Sequence, residues 1–71
     1  MYNELEICLI AKLYSYMSEY DRENWTMTEA QYMYDDELLI SEQNGYNCPI
    51  ESTEVLFDTI KEFIRQDTKE E

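Results

Sequence analysis

The chain has 71 residues and a formal net charge of -12, from 17 Asp and Glu residues against 5 Lys and Arg residues. Such a charge exceeds the magnitude of about 2 to 8 that keeps a small domain soluble. It disfavours direct binding to nucleic acid or to anionic lipid, because lysine and arginine hold both kinds of ligand. A chain this short has at most one small core. We therefore expect a single small acidic domain, residues 1–71, that binds a basic partner.

The cysteine content and the hydropathy indicate a protein of the cytoplasm. Cys8 and Cys48 are too few to define a disulfide scaffold, and the acidic N-terminal sequence does not resemble a signal peptide. No apolar run approaches the length that crosses a membrane. We expect free thiols, and a single bridge between the two cysteines remains the alternative.

The first predicted helix spans residues 3–20, with Asn3 as its N-cap and acidic residues in its first turn. Its core stripe is predicted from apolar residues at spacings of three and four: Leu5, Leu9, Leu13, Tyr16, Met17 and Tyr20. A second apolar line contains Ile7, Ala11 and Tyr14. This line either packs inside the domain, which is the favoured interpretation, or forms a patch for a partner.

The second predicted helix follows a polar connection at residues 21–24. Thr26 and Glu29 have the spacing of a capping box, and Trp25 is expected to pack just before that cap. The residues predicted to share one face are Met27, Ala30, Tyr34 and Leu38. Gly45, after Asn44, supplies a C-terminal stop.

An alternative for this region is a short β-hairpin around residues 38–50. The Asn44-Gly45 pair also favours a tight hairpin turn, and Tyr46, Cys48 and Ile50 alternate as in a strand. Pro49 would then have to lie on a sheet edge. The sequence leaves helix and hairpin open here.

The third predicted helix spans about residues 53–67 and is capped by Ser52 or Thr53. Its apolar stripe consists of Leu56, Ile60, Phe63 and Ile64. Residues 67–71 are expected to fray. The fold class is therefore mainly α, a small three-helix domain with or without the hairpin.

The residues that most catalytic and cofactor sites need are missing. The chain has no histidine and one glycine, which leaves no imidazole base, no zinc site that uses histidine and no glycine-rich phosphate loop. Asp35, Asp36 and Glu37 are consecutive, and on a helix such residues point about 100° apart, so they do not converge on one metal ion. We expect no enzyme activity, no cofactor and no metal site.

The negative charge is concentrated in residues 13–60, where eleven acids face Arg22 alone. The later residues are more balanced, with possible i,i+3 ion pairs between Glu62 and Arg65 and between Asp58 and Lys61. A run of acids is usually only a solvated surface. Eleven acids against one arginine favour a function, because their mutual repulsion destabilises the compact state.

Tyrosine is the second indication of a contact surface, since it is enriched at interfaces and its ring stacks on arginine. Tyr16, Tyr20 and Tyr34 fit the predicted core stripes and are expected to be structural, whereas Tyr14, Tyr32 and Tyr46 flank acids or loops and are the better contact candidates. The predicted partner-binding residues are eight acids and two tyrosines: Glu29, Asp35, Asp36, Glu37, Glu42, Glu51, Glu54, Asp58, Tyr32 and Tyr46.

In size, acidity and tyrosine content the whole chain resembles small phage-encoded inhibitors of bacterial defence, the anti-CRISPR and anti-restriction proteins that mimic DNA. The resemblance is one of composition and involves no motif. It implies a non-enzymatic inhibitor that acts in the cytoplasm of a bacterial host. Its partner would be a basic nucleic-acid-binding protein, such as a CRISPR effector or a restriction nuclease, blocked by competition for DNA.

The alternative function is an acidic helical regulatory module, antitoxin-like or transcription-associated, that binds a protein through the apolar line of Ile7, Ala11 and Tyr14. Its acids would then only steer the encounter. A homodimer is a further expectation, since apolar and tyrosine side chains exceed what a small core can bury. Self-repulsion opposes a tight dimer unless the acids point away from it.

Overall fold

The computed structural model describes the backbone of residues 3–69 and the side chains of residues 3–67. Within this part of the chain there are four α-helices and no strand: α1 (Glu4–Tyr16), α2 (Glu19–Glu23), α3 (Met27–Asn44) and α4 (Thr53–Lys69). The predicted mainly α fold is confirmed. The described residues form four helices where three were predicted, because the segment predicted as the first helix is divided between α1 and the start of α2.

The helix predicted over residues 3–20 breaks at Met17, whose ψ of 142° is extended. The Ser18 side chain then accepts a hydrogen bond from the Asp21 N–H at 3.1 Å and caps α2. A serine hydroxyl offers the backbone this alternative to continuing a helix. Residues 21–24, predicted as a connection, therefore lie largely within α2.

Both ends of α3 follow the helical prediction. Thr26 Oγ1 accepts the Glu29 N–H at 3.3 Å. At the other end Gly45 has a left-handed φ of 76°, its N–H contacts the Glu42 carbonyl, and the Tyr46 N–H donates to the Ser41 carbonyl at 3.1 Å. This is the Schellman pattern of a helix C-terminus. The hairpin alternative for residues 38–50 is wrong, because residues 38–44 satisfy their backbone groups within α3.

The start of α4 resolves the choice between two predicted caps. The Ser52 hydroxyl accepts the Val55 N–H at 3.2 Å. The predicted stripe is confirmed, since Leu56 and Ile60 are fully buried and Phe63 and Ile64 pack against the core. The helix continues to Lys69, and the final residues of the segment predicted to fray, 70 and 71, lie outside the described residues.

The core lies where α1 and α3 each pack on α4. Its buried apolar residues are Ile10, Met17, Ala30, Ile50, Leu56 and Ile60. Trp25 packs against this core as predicted: its Nε1 donates to the Phe57 carbonyl at 3.1 Å, and the two rings are stacked. Cys8 and Cys48 are both free, as expected.

The predicted stripe of the first helix is wrong in three of its members. Leu5, Tyr16 and Tyr20 are 72%, 76% and 72% exposed. The other three, Leu9, Leu13 and Met17, do pack in or against the core. The buried face of α1 instead centres on Glu6 and Ile10. An acidic residue at a core-facing position interrupts the apolar pattern, so the sequence indicates a face rotated away from the true one.

The predicted face of α3 is also partly wrong. Ala30 is buried and Tyr34 packs against the core, but Met27 and Leu38 are 43% and 42% exposed. The last turns of α3 bury the polar Ser41 instead, whose hydroxyl donates to the Glu37 carbonyl at 2.8 Å. This satisfied serine takes a core-facing place that an apolar pattern does not reveal.

Glu6 joins the start of α1 to the chain just before α4. Its side chain is 1% exposed, and its Oε2 accepts a hydrogen bond from the backbone N–H of Glu51. Its own N–H donates to the N-cap Asn3 Oδ1 at 2.7 Å. One buried carboxylate thus satisfies a backbone donor 45 residues away along the chain.

Replacing Glu6 by alanine should lower the free energy of unfolding by about 1–3 kcal/mol, because the Glu51 N–H loses its acceptor inside the fold. Chemical denaturation followed by circular dichroism measures the change. Glu4→Ala is the matched control, since Glu4 is an exposed acid of the same helical turn. Equal stability of the two variants would show that the Glu6 contact adds nothing.

Candidate functional site

The eight predicted acids divide between two helices and the segment that connects them. Five lie on α3: Glu29, Asp35, Asp36, Glu37 and Glu42. Glu51 lies in the connection, and Glu54 and Asp58 lie on α4. All are exposed except Glu37, which is half-buried. The fold therefore presents seven of these carboxylates directly to solvent.

Gln31 brings one acid of α3 next to the start of α4. Its Nε2 donates to Asp35 Oδ1 at 3.0 Å, and its Oε1 accepts from Thr53 Oγ1 at 3.2 Å. The Tyr34 hydroxyl contacts the Glu51 carbonyl at 3.4 Å across the same junction. We call three exposed acids at or next to these contacts in sequence the acidic edge: Asp35, Glu51 and Glu54. Gln31 was not among the predicted site residues, although its spacing of four from Asp35 is typical of a helical side-chain pair.

The solvent side of α3 combines acids with apolar side chains. Positions 32, 35, 36 and 39 share one side of the helix by their spacing, opposite the buried Ala30. Tyr32 and Leu39 on this side are 65% and 54% exposed. We call Tyr32, Asp35, Asp36 and Leu39 the outer face of α3. Leu39 was not among the predicted site residues.

The tyrosines differ in part from their predicted roles. Tyr32 and Tyr46, predicted as contact residues, are 65% and 52% exposed. Tyr34 packs against the core as predicted. The prediction that Tyr16 and Tyr20 are structural is wrong, because the break at Met17 turns both side chains to solvent. They add aromatic surface on α1 and α2.

Tyr14 is packed in the fold. Its ring lies 5.3 Å from that of Phe63, and its hydroxyl donates to Asp67 Oδ2. Burial, followed by the hydrogen bond and the charge of Asp67, raises the pKa of Tyr14. Tyr14 therefore packs inside the domain instead of forming the expected contact surface, and the packing interpretation of the second apolar line is confirmed for this residue. Ile7, on the same line, is half-buried, and Ala11 is exposed.

Two cations, Arg22 and Lys61, are engaged by aromatic rings of the fold. Arg22 donates from Nη2 to the Tyr14 carbonyl at 2.9 Å and stacks over the Tyr14 ring. The predicted pair of Asp58 with Lys61 does not form, because Lys61 Nζ lies over the Phe57 ring at 5.0 Å.

The predicted pair of Glu62 with Arg65 is present, and it is the sole ion pair among the side chains of residues 3–67. None of the eight predicted acids therefore has an ion-pair partner within that range.

Glu37 differs from its neighbours in its environment. Partial burial raises the pKa of this carboxyl, the charge of Asp36 raises it further, and Lys12 lowers it in part. When the pKa of a carboxyl is higher in the folded state than in the unfolded chain, the folded protein loses stability as pH rises through the pKa of the folded state. The half-buried Glu37 carboxylate is therefore less accessible to a partner than the exposed carboxylates of Asp35 and Asp36.

Glu37→Gln should stabilise the fold at neutral pH, because it removes a carboxylate that is desolvated and adjacent to Asp36. The gain should shrink as pH falls and the wild-type carboxyl becomes protonated. Thermal unfolding of both proteins between about pH 3 and pH 7 measures this, since glutamate titrates near 4.3. Glu42→Gln, an exposed change on the same helix, is the control and should show no comparable trend. A constant difference at every pH would contradict this role for Glu37.

The part of the chain that the structure describes contains no cluster of three carboxylate or thiol groups arranged to hold a metal ion. It also contains no helix with the length and apolar character needed to span a membrane. Comparisons with protein-family models, with curated proteins and with solved structures found no match to this chain.

Proposed function

We propose that this protein is a non-enzymatic inhibitor that mimics nucleic acid and blocks the DNA-binding site of a host defence protein. Its partner is a basic nucleic-acid-binding protein, such as a CRISPR effector or a restriction nuclease. It acts in the bacterial cytoplasm without a cofactor, and it binds the protein that holds DNA, not DNA itself. The supporting observation is that its exposed carboxylates on α3 and the acidic edge have no ion-pair partner among the described residues.

The spacing of acids on α3 suits this proposal. From Glu29 to Glu42 the helix axis advances by about 20 Å, at about 1.5 Å per residue. One strand of DNA carries about six phosphates over that length, at one per about 3.4 Å. The helix has five carboxylates in the same interval, of which Glu37 is half-buried. The charge per length of helix axis is therefore similar to that of a DNA strand, and a partner on the outer face of α3 meets the part of it that Asp35 and Asp36 carry.

The exposed tyrosines add aromatic rings to this charged surface. Tyr32 lies on the outer face of α3 beside Asp35 and Asp36, and Tyr46 follows the end of the helix. An arginine that pairs with a carboxylate can also stack on a tyrosine ring, and tyrosine is frequent among residues that dominate binding energy. We assign these tyrosines the role of anchors.

A second candidate function is the acidic helical regulatory module. Its binding surface would be on α3 instead of the line of Ile7, Ala11 and Tyr14. Leu38, Leu39 and Ile40 are three consecutive apolar residues that are 42%, 54% and 41% exposed. They favour a partner that buries apolar area on α3, with the acids steering the encounter. Salt separates the two functions, because electrostatic mimicry weakens with ionic strength and apolar contact persists.

The triple variant Asp35→Asn, Asp36→Asn, Glu37→Gln tests the proposal. We expect it to keep its helicity and to inhibit DNA cleavage by a susceptible nuclease about tenfold less well, since surface charge changes association by 10-fold or more. Cleavage assays with purified restriction nucleases and CRISPR effectors, over a series of salt and competitor DNA concentrations, give the readout.

The matched control is Glu19→Gln, Asp21→Asn, Glu23→Gln, which removes the same charge from α2. Equal losses in the two triple variants would mean that net charge alone acts and that α3 is not the contact surface. Inhibition that resists both salt and competitor DNA would contradict mimicry and favour the regulatory module. Absence of inhibition across all nucleases and effectors tested at low salt would reject the proposed function.

A further inference from the structure

A groove between α1 and α4 combines apolar walls with two carboxylates. It has a volume of about 390 Å³ and is lined by Ile7 from α1 and by Asp58, Thr59, Glu62 and Phe63 from α4. Asp58 and Glu62 are four residues apart, so they lie one above the other on the same side of α4. No lysine or arginine lines the groove. Only one of its residues, Asp58, was among the predicted partner-binding residues.

Thr59 gives an independent indication of a missing ligand. Its side chain is 6% exposed, and its hydroxyl oxygen has no hydrogen-bond partner among the described residues. A buried hydroxyl without a partner is costly, and folded proteins retain few such groups. The oxygen itself has almost no accessible surface, so it accepts a hydrogen bond from a donor in the groove once the Thr59 side chain turns toward the groove. Thr59 therefore indicates that the groove receives a polar group that the isolated chain does not supply.

We propose that this groove binds the side chain of one arginine from the basic partner. The methylene stem lies between Ile7 and Phe63, and the guanidinium reaches Asp58 and Glu62 and donates to Thr59 Oγ1. Arginine fits this set because it has an apolar stem and five N–H donors, with no acceptor that would need a donor in return. This inference rests on the proposed function, since it presumes a partner with a basic surface.

The ligand is a cation because of the charges around the groove. Both ionisable groups that line it are carboxylates, and an anion would be repelled by them and by the net charge of -12. Glu62 is shared, since it also accepts hydrogen bonds from Arg65 in an exposed ion pair. Exposed pairs of this kind are weak and exchange partners readily. Asp58, which has no ion-pair partner among the described residues, should therefore contribute more than Glu62.

The test is an NMR titration of the full chain, labelled with nitrogen-15. The probe is a short peptide in which one arginine side chain is the single charged group. The same peptide with citrulline is the probe control, because citrulline keeps the shape and loses the charge. We expect the arginine peptide to shift the amide signals of Ile7, Thr59 and Phe63, and the citrulline peptide to shift none of them. Equal shifts with both peptides would overturn the proposal.

Two variants test the named contacts. Asp58→Asn should weaken binding of the arginine peptide about tenfold, whereas Glu19→Gln, an equal charge change at an exposed acid of α2 that does not line the groove, should change it less than about twofold. Thr59→Val keeps the side-chain shape without the hydroxyl, so it should bind the peptide several-fold more weakly and unfold at a higher temperature. Equal losses in Asp58→Asn and Glu19→Gln, or unchanged binding in Thr59→Val, would overturn the proposed site.

The result separates this inference from the proposed function. If the arginine peptide shifts only signals of α3, the groove is not its site, while an inhibitor acting through α3 is unaffected. If the groove binds the peptide but no nuclease or effector is inhibited, the arginine site stands and the mimicry of DNA fails. If the peptide shifts no signal, the groove proposal is rejected whatever the cleavage assays show.

Discussion

The buried carboxylate of Glu6 is the contact on which the arrangement of the helices depends. The chain before α4 must approach α1 closely for Ile50 to enter the core, and the backbone N–H of Glu51 then donates to the buried Glu6 carboxylate. A side chain with an acceptor at its end is needed there, because an unpaired buried donor is costly. The chain has 17 acids, and Glu6 is buried in the interior, whereas most of the other described acids are exposed on the surface.

With that junction fixed, α4 becomes the common partner of α1 and α3. Its buried side carries Leu56 and Ile60, and its exposed side carries Glu54 and Asp58. The acids are tolerated because they lie outside a small, continuous apolar core, where water and salt screen their repulsion. The surface that would meet a basic partner and the core that shapes it are therefore two sides of the same helices.

Some helix ends could be predicted from the sequence because a cap depends on one side chain and a nearby N–H, as at Asn3 and Thr26. The sequence leaves Gly45 open between a helix end and a hairpin turn, and the prediction missed the break at Met17 with the Ser18 cap. Faces depend on what the helix packs against, and Glu6 has a core-facing position that no apolar pattern indicates. Seven of the eight predicted acids are exposed, as their charge favours, whereas Glu37 is half-buried because of its position on the core side of α3. The groove beside Thr59 was not predictable, since it exists only where α1 and α4 meet.

The shared dependence on α4 has a consequence for local opening of the fold. Since α1 and α3 make their main contacts with α4, detaching α4 removes the packing partner of both. Their most protected amide hydrogens should then exchange with solvent through one cooperative event. The five-residue helix α2 buries no residue, so its amides are free to exchange by separate, smaller openings. The protein is in this sense one cooperative unit of α1, α3 and α4, with α2 as a short helix that opens separately.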